Sequence, residues 1–284
     1  MYKMKNKAYM LILLIVTIVN YGQNLIPAGE IGSFSSARCI SINPNGVIFV
    51  SDDLKNEIIK LDTLGNVIKT IGGYGWDSGS FDYPADVFAN LLNVYVADKN
   101  NNRIQIFDKD LNFLSQISTS NSVDERFSFK YPSSVVTSNQ GDFYILDSDN
   151  QRILKFNLRG EFISEIGGID AGVFRLTNPL KLSLDSNLNL LTTEKNTLII
   201  FDQFGNGKRK VMLPFEAKNI NSLFNYVVIV NEKNVLIAAT VAEPNLQMNL
   251  LNPNIVEDIV DASVFKSKLY VLTGSTIFIF QLQY

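Results

Sequence analysis

Residues Val94–Asp108, VYVADKNNNRIQIFD, decide the fold of this chain. A β-rich run ends at Asp98, a polar turn follows, and a second run begins at Arg103. The same arrangement recurs at Phe49–Leu61 and at Tyr144–Phe156. Apolar, β-branched and aromatic runs separated by a short polar turn predict paired β-strands. The chain therefore repeats a unit of strand, turn and strand.

Each strand pair has a further strand on either side. The upstream strand follows a phenylalanine and an alanine or proline three residues later, as in Phe34 with Ala37. The downstream strand follows turn residues such as Leu64-Gly65. Four strands in each repeat of about 40 to 50 residues form one blade of a β-propeller. The other flanking segments are Phe81 with Pro84, Phe129 with Pro132, Asn66–Ile71, Asn112–Ile117 and Glu161–Ile166.

Three further repeats are less regular. They pair residues 190–193 with 198–201, 229–231 with 235–238, and 270–273 with 277–280. The last repeat ends at Tyr284 without a fourth strand, whereas Asn24–Gly32 precedes the first blade as an extra strand. We predict an all-β, six-bladed β-propeller of four-stranded blades, with the last blade closed by this N-terminal strand. Closure removes the two sheet edges that would otherwise be exposed.

The N-terminus has the pattern of an export signal. Lys3, Lys5 and Lys7 precede an apolar run from Ala8 to Val19, and polar residues follow. This pattern predicts a signal peptide over residues 1–22, because the run is too short for a membrane-spanning helix. We expect an exported chain whose propeller covers residues 23–284 and has no membrane span after cleavage. Its location would be the periplasm, the outer membrane or the outside of the cell.

Composition restricts the possible functions. Hydrophobic residues make up 46% and charged residues 19% of the 284 positions, as in an ordered globular chain. The formal net charge of −3 argues against nucleic-acid binding, which needs a basic face. The sequence has no histidine, and so it lacks the commonest general base and metal ligand. The single cysteine, Cys39, cannot form an internal disulfide, and we expect it to be a small buried hydrophobic residue.

Blade two resembles the NHL repeat family. The resemblance rests on Tyr83–Val87, on Val94–Asp108 and on the glycine-rich connector Gly72–Phe81. It is close over residues 32–168 and weaker over residues 180–284. It implies a six-bladed propeller, and the ending of the signal segment is similar to that of exported bacterial proteins.

Two acid and arginine pairs recur at the turn between the second and third strands. They are Asp98 with Arg103 and Asp147 with Arg152. A carboxylate and a guanidinium placed in this way are expected to hold the turn and the adjoining blade. Because the pairs recur from blade to blade, a unique site is to be sought in what differs between blades.

Two features differ between blades. In a propeller the first strands line the central channel, and their starts are predicted to carry Arg38, Asp86, Ser134, Lys181, Asn219 and Asp258. This ring is either a solvated funnel or a site for a polar ligand or peptide carboxylate bound by Arg38 and Lys181. The connector carries Tyr74 and the single tryptophan, Trp76. These aromatic residues either contact a protein or a sugar, or cover the edge of the blade.

These features favour a binding protein over an enzyme. Peptide-amidating and streptogramin lyases, which the resemblance suggests, rely on histidine, and the sequence has none. An alternative is a metal-dependent hydrolase or lactonase similar to gluconolactonase, with Ca²⁺ bound by oxygen ligands such as Asp86, Asn219 and Asp258. The cation Arg38 argues against it. We expect a monomeric scaffold without catalytic residues or cofactor that binds a protein or a small polar or glycan ligand.

Overall fold

The structure is a computed structural model and describes residues 25–119, 127–239 and 247–283. These residues form six antiparallel sheets of four strands each. The single 3₁₀ turn among them is Gly172–Phe174. The fold predicted from the repeats, a six-bladed β-propeller, is confirmed.

The strands follow the chain in regular order. Strand β1 is Leu25–Ile31, and blade one consists of β2 Ala37–Ile42, β3 Ile48–Asp52, β4 Glu57–Leu61 and β5 Val67–Gly72. Blade two consists of β6 Pro84–Ala89, β7 Asn93–Asp98, β8 Arg103–Asp108 and β9 Phe113–Ser118. Blade three consists of β10 Pro132–Thr137, β11 Phe143–Asp147, β12 Arg152–Phe156 and β13 Phe162–Ile166. Blade four consists of β14 Leu182–Leu184, β15 Leu190–Glu194, β16 Thr197–Phe201 and β17 Gly207–Met212. Blade five consists of β18 Asn219–Leu223, β19 Tyr226–Val230, β20 Val235–Ala239 and β21 Met248–Leu251. Blade six consists of β22 Ile259–Phe265, β23 Lys268–Thr273 and β24 Ile277–Leu282, completed by β1.

The N-terminal strand closes the ring as predicted. Strand β1 pairs antiparallel with β24, from Leu25 opposite Leu282 to Ile31 opposite Ile277. The first described strand is therefore the outermost strand of the last blade. Because the outer edge of β24 is covered, blade six has four strands like the others.

The core lies between the blades. The second strand of blade one, β3, is buried at every position, and its run Ile48-Phe49-Val50 packs on both faces of the sheet. Strands buried on both faces are continuously apolar rather than alternating. The outer strand β5 is mostly exposed or half-buried. Each apolar cluster spans two neighbouring blades, as where Phe49 of blade one packs with Val87 of blade two.

Four innermost strands contain a β-bulge near their start. The register shifts between Ala37 and Cys39 in β2, and at the equivalent place in β6, β10 and β22. A bulge adds one residue to a strand and re-aims the side chains beside it. The residues that follow the bulges are Cys39, Asp86, Ser134 and Asp261.

Among the described residues, no helix is long and apolar enough to cross a membrane. The expected signal peptide, residues 1–22, lies outside the described residues.

Candidate binding site at the channel mouth

One side chain from each blade joins a hydrogen-bonded cluster across the central channel. We call these six residues the belt. Five of them are buried, with at most 7% of the residue exposed, and the sixth, Asn221, is half-buried. In blade order the belt is Cys39, Asp86, Ser134, Lys181, Asn221 and Asp261.

The ammonium group of Lys181 is the centre of the belt. Its Nζ lies 3.0 Å from Asp261 Oδ2 and 3.0 Å from Asn221 Oδ1. The same atom lies 3.1 Å from Cys39 Sγ and 3.4 Å from Asp86 Oδ1. A buried ammonium needs such acceptors, because an unpaired charge away from water is strongly unfavourable.

The two belt carboxylates are held by further donors. The oxygens of Asp86 accept hydrogen bonds from the thiol of Cys39 at 2.8 Å and the hydroxyl of Ser134 at 2.6 Å. The oxygens of Asp261 accept from the amide of Asn221 at 2.7 Å and the main-chain N–H of Ile40 at 3.1 Å. The hydroxyl of Ser134 in turn accepts from the main chain of blade four. The belt is thus a connected polar network that spans the channel.

Burial and charge together set the ionisation of the belt. Burial raises the pKa of the Asp261 carboxyl, although Lys181 opposes the rise. Burial on its own would lower the pKa of Lys181, but Asp261, Cys39 and Asp86 outweigh it and hold that pKa well above its usual range. Burial, followed by the charge of Asp86, also raises the pKa of the Cys39 thiol well above its usual range. At neutral pH, therefore, the lysine is charged and the thiol keeps its proton.

Two cavities border the belt, and Lys181 contributes to the wall of both. The cavity at the starts of the innermost strands has a volume of about 380 Å³, and we call it the basic cup. Four cations line it, Arg38, Lys99, Lys181 and Lys218, together with Asp258 and the neutral polar residues Ser133 and Asn219. The cavity on the opposite face has a volume of about 420 Å³ and includes Ser41, Ser183, Ser263, Phe88 and Phe224 in its wall.

Two cations of the basic cup share one aromatic ring. The guanidinium carbon of Arg38 lies 4.7 Å from the centre of the Tyr83 ring, and the Nζ of Lys99 lies 5.6 Å from it. Burial, and then the nearby charge of Arg38, lower the pKa of Lys99. Arg38 has a long contact of 3.4 Å with Asp53. Among the described residues Lys99 forms no ion pair, and the face of the Tyr83 ring partly compensates its charge.

The remaining charges of the cup are paired at its rim. Lys218 lies 2.7 Å from Glu232, and Asp258 lies 3.0 Å from Lys233. Ser133 also lines the cup, and its hydroxyl oxygen is buried and has no hydrogen-bond partner among the described residues. A buried hydroxyl without a partner is uncommon in folded proteins and calls for an explanation.

The connector between β5 and β6 presents two aromatic side chains on the same face of the disc. Tyr74 is 73% and Trp76 66% exposed, so neither ring covers the blade. The main chain of the connector, by contrast, is held firmly. Arg103 donates to the carbonyl oxygens of Trp76 at 2.6 Å and Asp77 at 3.1 Å, and Asn101 donates to that of Gly75 at 2.9 Å.

The acid and arginine pairs lie in ion-pair contact. Arg103 Nε is 2.7 Å from Asp98 Oδ2, and Arg152 Nε is 2.9 Å from Asp147 Oδ2. In each pair the carboxylate also accepts main-chain N–H groups of the segment that enters the blade, such as that of Asp82 on Asp98. The turn and the entering segment are thereby fixed to each other.

The structure separates the predicted ring of mouth residues into two levels. Arg38, Asn219 and Asp258 line the basic cup, whereas Asp86 and Ser134 belong to the belt and Lys181 reaches both. The expected alignment was wrong by one residue at Arg38, because the bulge makes Cys39 the equivalent of Asp86. It was wrong by two and three residues in blades five and six, where the belt uses Asn221 and Asp261.

Sequence reasoning also missed Lys99 and Ser133 as residues of the cup. The role of Cys39 was underestimated, because it is buried as expected but also donates to Asp86. The belt residues could have been recognised in the sequence by their regular spacing. This spacing is 47 residues from Cys39 to Asp86 and 40 residues from Asn221 to Asp261.

The proposed metal ligands do not meet. Asp86 lies in the belt, while Asp258 is at the rim with a side chain 64% exposed. Within the described ranges, no group of three histidine, cysteine or acidic residues is placed to hold a metal ion. The oxygens that do converge in the channel surround the ammonium of Lys181, so this donor set does not fit a divalent cation.

Comparison with known proteins identifies the repeat. The NHL repeat family matches residues 81–107 and 129–156, which lie in blades two and three. Protein brain tumor of Drosophila melanogaster is 34% identical over 140 residues, 48% of this chain and 13% of that protein. B-box type zinc finger protein ncl-1 of Caenorhabditis elegans is 30% identical over 139 residues, 48% of this chain and 16% of that protein. The matched stretch is a small part of both relatives.

A solved structure supports the fold over nearly the whole ring. A catalytically inactive histidine-to-alanine variant of virginiamycin B lyase from Staphylococcus aureus, with quinupristin, superimposes with a TM-score of 0.62. The likeness covers 89% of this chain and 82% of the lyase at 13% identity. At this identity the likeness shows the fold alone. The chain is a six-bladed β-propeller whose second and third blades carry NHL repeats.

Proposed function

We propose that this chain is an exported binding scaffold, and that the face with the basic cup holds its protein or polar ligand. The observation that carries the proposal is the contrast between the belt and the cup. The belt spans the channel with paired charges, whereas the cup beside it gathers cations on a chain of net charge −3. Local charge of the opposite sign to the whole chain is a mark of a ligand surface.

The aromatic connector extends this surface. Trp76 and Tyr74 stand exposed on a main chain that Arg103 holds in place. Exposed aromatic side chains on a rigid support lose little conformational freedom on binding, and they are frequent anchors in protein and glycan interfaces. The scaffold would act as a monomer, with the disc as a fixed platform.

The sequence offers little support for a catalytic function. The virginiamycin lyase variant that resembles this fold is inactive through loss of one histidine, and this sequence has no histidine at all. We therefore propose a function without a cofactor. In both curated relatives the repeat region is a small part of a long chain, as suits a module that supplies a surface.

Capture of partners tests the binding face. Purified chain of residues 23–284 is immobilised and exposed to envelope extract, and the retained proteins and glycans are identified by mass spectrometry. The variants Arg38→Glu and Trp76→Ala are compared with matched controls on the opposite face, Lys109→Glu and Phe204→Ala, of which Phe204 is 72% exposed. A partner that is lost with the first two and kept with the controls supports the proposal. Retention that is equal in all four variants contradicts it.

Export is tested separately. Cells that express the full chain are fractionated, and the N-terminus of the accumulated protein is sequenced. Export predicts that the protein leaves the cytoplasm and that the first 22 residues are removed. A cytoplasmic protein with an intact N-terminus would refute this part of the proposal.

A further inference from the structure

We infer that the basic cup is a receptor for one carboxylate group of a peptide, from its C-terminus or from an acidic side chain. This inference rests on the proposed function, because it assumes that the face with the cup is the binding face. It adds the chemistry of the bound group and the residues that recognise it.

The first step is the balance of charge inside the cup. Lys181 on its floor is neutralised by Asp261 and Asp86. At the rim, Lys218 is paired with Glu232. What remains is Arg38, with one long contact, and Lys99, which has no ion pair within the described chain.

The second step is the closeness of these two cations. Both Arg38 and Lys99 lie against the ring of Tyr83, at 4.7 and 5.6 Å from its centre. Like charges held together cost stability unless another group compensates for them. The fall in the pKa of Lys99 has the proximity of Arg38 as its second cause after burial. An anion bound in the cup, whose wall includes both side chains, would reduce this cost.

The third step is a hydrogen-bond donor without a partner. Ser133 lines the same cup, and its buried hydroxyl oxygen has no hydrogen-bond partner among the described residues. A hydroxyl can donate to an oxyanion, and two cations with a hydroxyl match the acceptors of a carboxylate. The cup volume of about 380 Å³ lies within the range of small-ligand pockets.

The fourth step excludes larger anions. Asp258 lines the cup, and Asp53 and Glu232 are the ion-pair partners of its cations Arg38 and Lys218. These carboxylates would weaken binding of a nucleic acid or another polyanion, which depends on many unopposed cations. One uncompensated lysine and one partly compensated arginine suit a group with a single negative charge.

The test uses the folded chain of residues 23–284 and three defined probes. The probes are N-acetyl-triglycine with a free C-terminus, the same peptide as its amide, and N-acetyl-Gly-Glu-Gly amide. Binding is measured by NMR titration, with inorganic phosphate as a fourth ligand. We expect the free acid or the glutamate peptide to bind and to shift the resonances of Ser133 and Lys99, and the triglycine amide not to bind. Comparison of the two acidic probes assigns the source of the carboxylate.

Variants identify the residues responsible. Lys99→Gln and Arg38→Gln are expected to weaken carboxylate binding by about tenfold each, the loss typical of one charge-assisted hydrogen bond. Lys99→Arg keeps the charge and should restore most of the affinity, and Lys109→Gln on the opposite face should change nothing. Denaturant unfolding of each variant shows that the fold is intact.

Several outcomes would overturn the inference. They are equal binding of acid and amide, tighter binding of phosphate than of either carboxylate, or full affinity in Lys99→Gln. If partner capture depends on Arg38 and Trp76 while the probes fail to bind, the carboxylate inference fails and the binding face stands. If the probes bind through Lys99, but partners are captured equally well by the Arg38 and Trp76 variants and by the wild type, the carboxylate inference stands and the proposed binding face for the partner fails.

Discussion

Arg103 Nη1 donates a hydrogen bond of 2.6 Å to the main-chain oxygen of Trp76. The same guanidinium pairs with Asp98 at 2.7 Å, and so one side chain joins the turn of blade two to the connector that enters it. Arg103 is 6% exposed, while the ring of Trp76 is open to solvent. A residue that the repeat uses to fix a turn thereby also fixes the position of a unique aromatic side chain.

Replacement of Arg103 should loosen the connector and destabilise the fold. Arg103→Ala leaves the buried carboxylate of Asp98 without its cation, which costs about 3–5 kcal/mol of unfolding free energy. Trp76 is the single tryptophan, so its fluorescence reports the connector alone. We expect a lower denaturation midpoint and a lower fluorescence anisotropy in the native state. The exposed Arg159→Ala is the control and should lie within about 0.5 kcal/mol of the wild type. Unchanged anisotropy in Arg103→Ala would show that the connector does not depend on this contact.

Loss of the belt cation should destabilise the ring in a pH-dependent way. Lys181→Met leaves Asp86 and Asp261 buried without their counter-charge, which costs about 3–5 kcal/mol at pH 7. The pKa of Asp261 is already raised by burial, and without Lys181 it should rise further. A carboxyl with a raised folded pKa stabilises the fold more as pH falls below that pKa. The gap between variant and wild type should therefore narrow between pH 7 and pH 4, as measured by urea unfolding.

A double variant separates this charge effect from a packing effect. Lys181→Met combined with Asp261→Asn removes one unpaired carboxylate, so it should be more stable at pH 7 than Lys181→Met alone. If the double variant is less stable, and if the gap to the wild type does not change with pH, the electrostatic account of the belt is wrong.

The thiol of Cys39 should make the protein less stable in alkali. Its folded pKa lies well above the usual range, whereas the unfolded thiol ionises near pH ~8.5. Above that pH the unfolded state releases a proton that the folded state retains, so stability falls by up to about 1.4 kcal/mol per pH unit. The comparison is unfolding of wild type and Cys39→Ala from pH 7.5 to 10 under reducing conditions. The wild type should lose more stability over this range, and parallel profiles would contradict the prediction.

The same thiol reports opening of the belt. Cys39 is 1% exposed and lies between Asp86 and Lys181. Labelling by a thiol reagent at pH 8 should therefore be limited by opening of the ring and much slower than labelling of the unfolded chain. Ser134→Ala, which removes a donor to Asp86, should accelerate labelling, while the exposed-site control Lys109→Gln should not. Labelling of native protein at the unfolded rate would show that the belt is open to solvent.

The architecture could be predicted from the sequence because the pattern of each repeat indicates the order of its strands. In blades one to three an aspartate ends the second strand and a polar turn follows, so strand identity and period are both visible. The closing strand was predicted by counting the strands of the last repeat, which ends after its third strand. Blades four to six lack these signatures and were found by spacing alone, yet all have four strands.

The site was harder to predict because a shift of one residue along an innermost strand decides whether a side chain lies in the cup or in the belt. A bulge places Arg38 at the cup and Cys39 in the belt, and in the sequence only the 47-residue spacing from Cys39 to Asp86 indicates this shift. Lys99 was missed for a different reason. It lies in a turn between the second and third strands of blade two, and both its side chain and that of Arg38 from blade one contact the ring of Tyr83. A contact between two blades depends on how they pack around the axis, and a repeat pattern within each blade does not contain that information.

Removal of the N-terminal strand should turn blade six into an open edge. A chain that begins at Ser33 lacks β1, so β24 loses its antiparallel partner along Ile277–Leu282. Unpaired strand edges pair with other chains, and a ring of repeats depends on contacts between neighbours for its stability. Size-exclusion chromatography should show a monomer for the chain that begins at Gln23 and self-association or aggregation for the one that begins at Ser33. As a matched control, Glu30→Lys changes an exposed charge of β1 without removing the strand and should leave the monomer intact. If the shortened chain remains a monomer with an unchanged denaturation midpoint, the ring does not need β1 for closure, and blade six is stable with three strands.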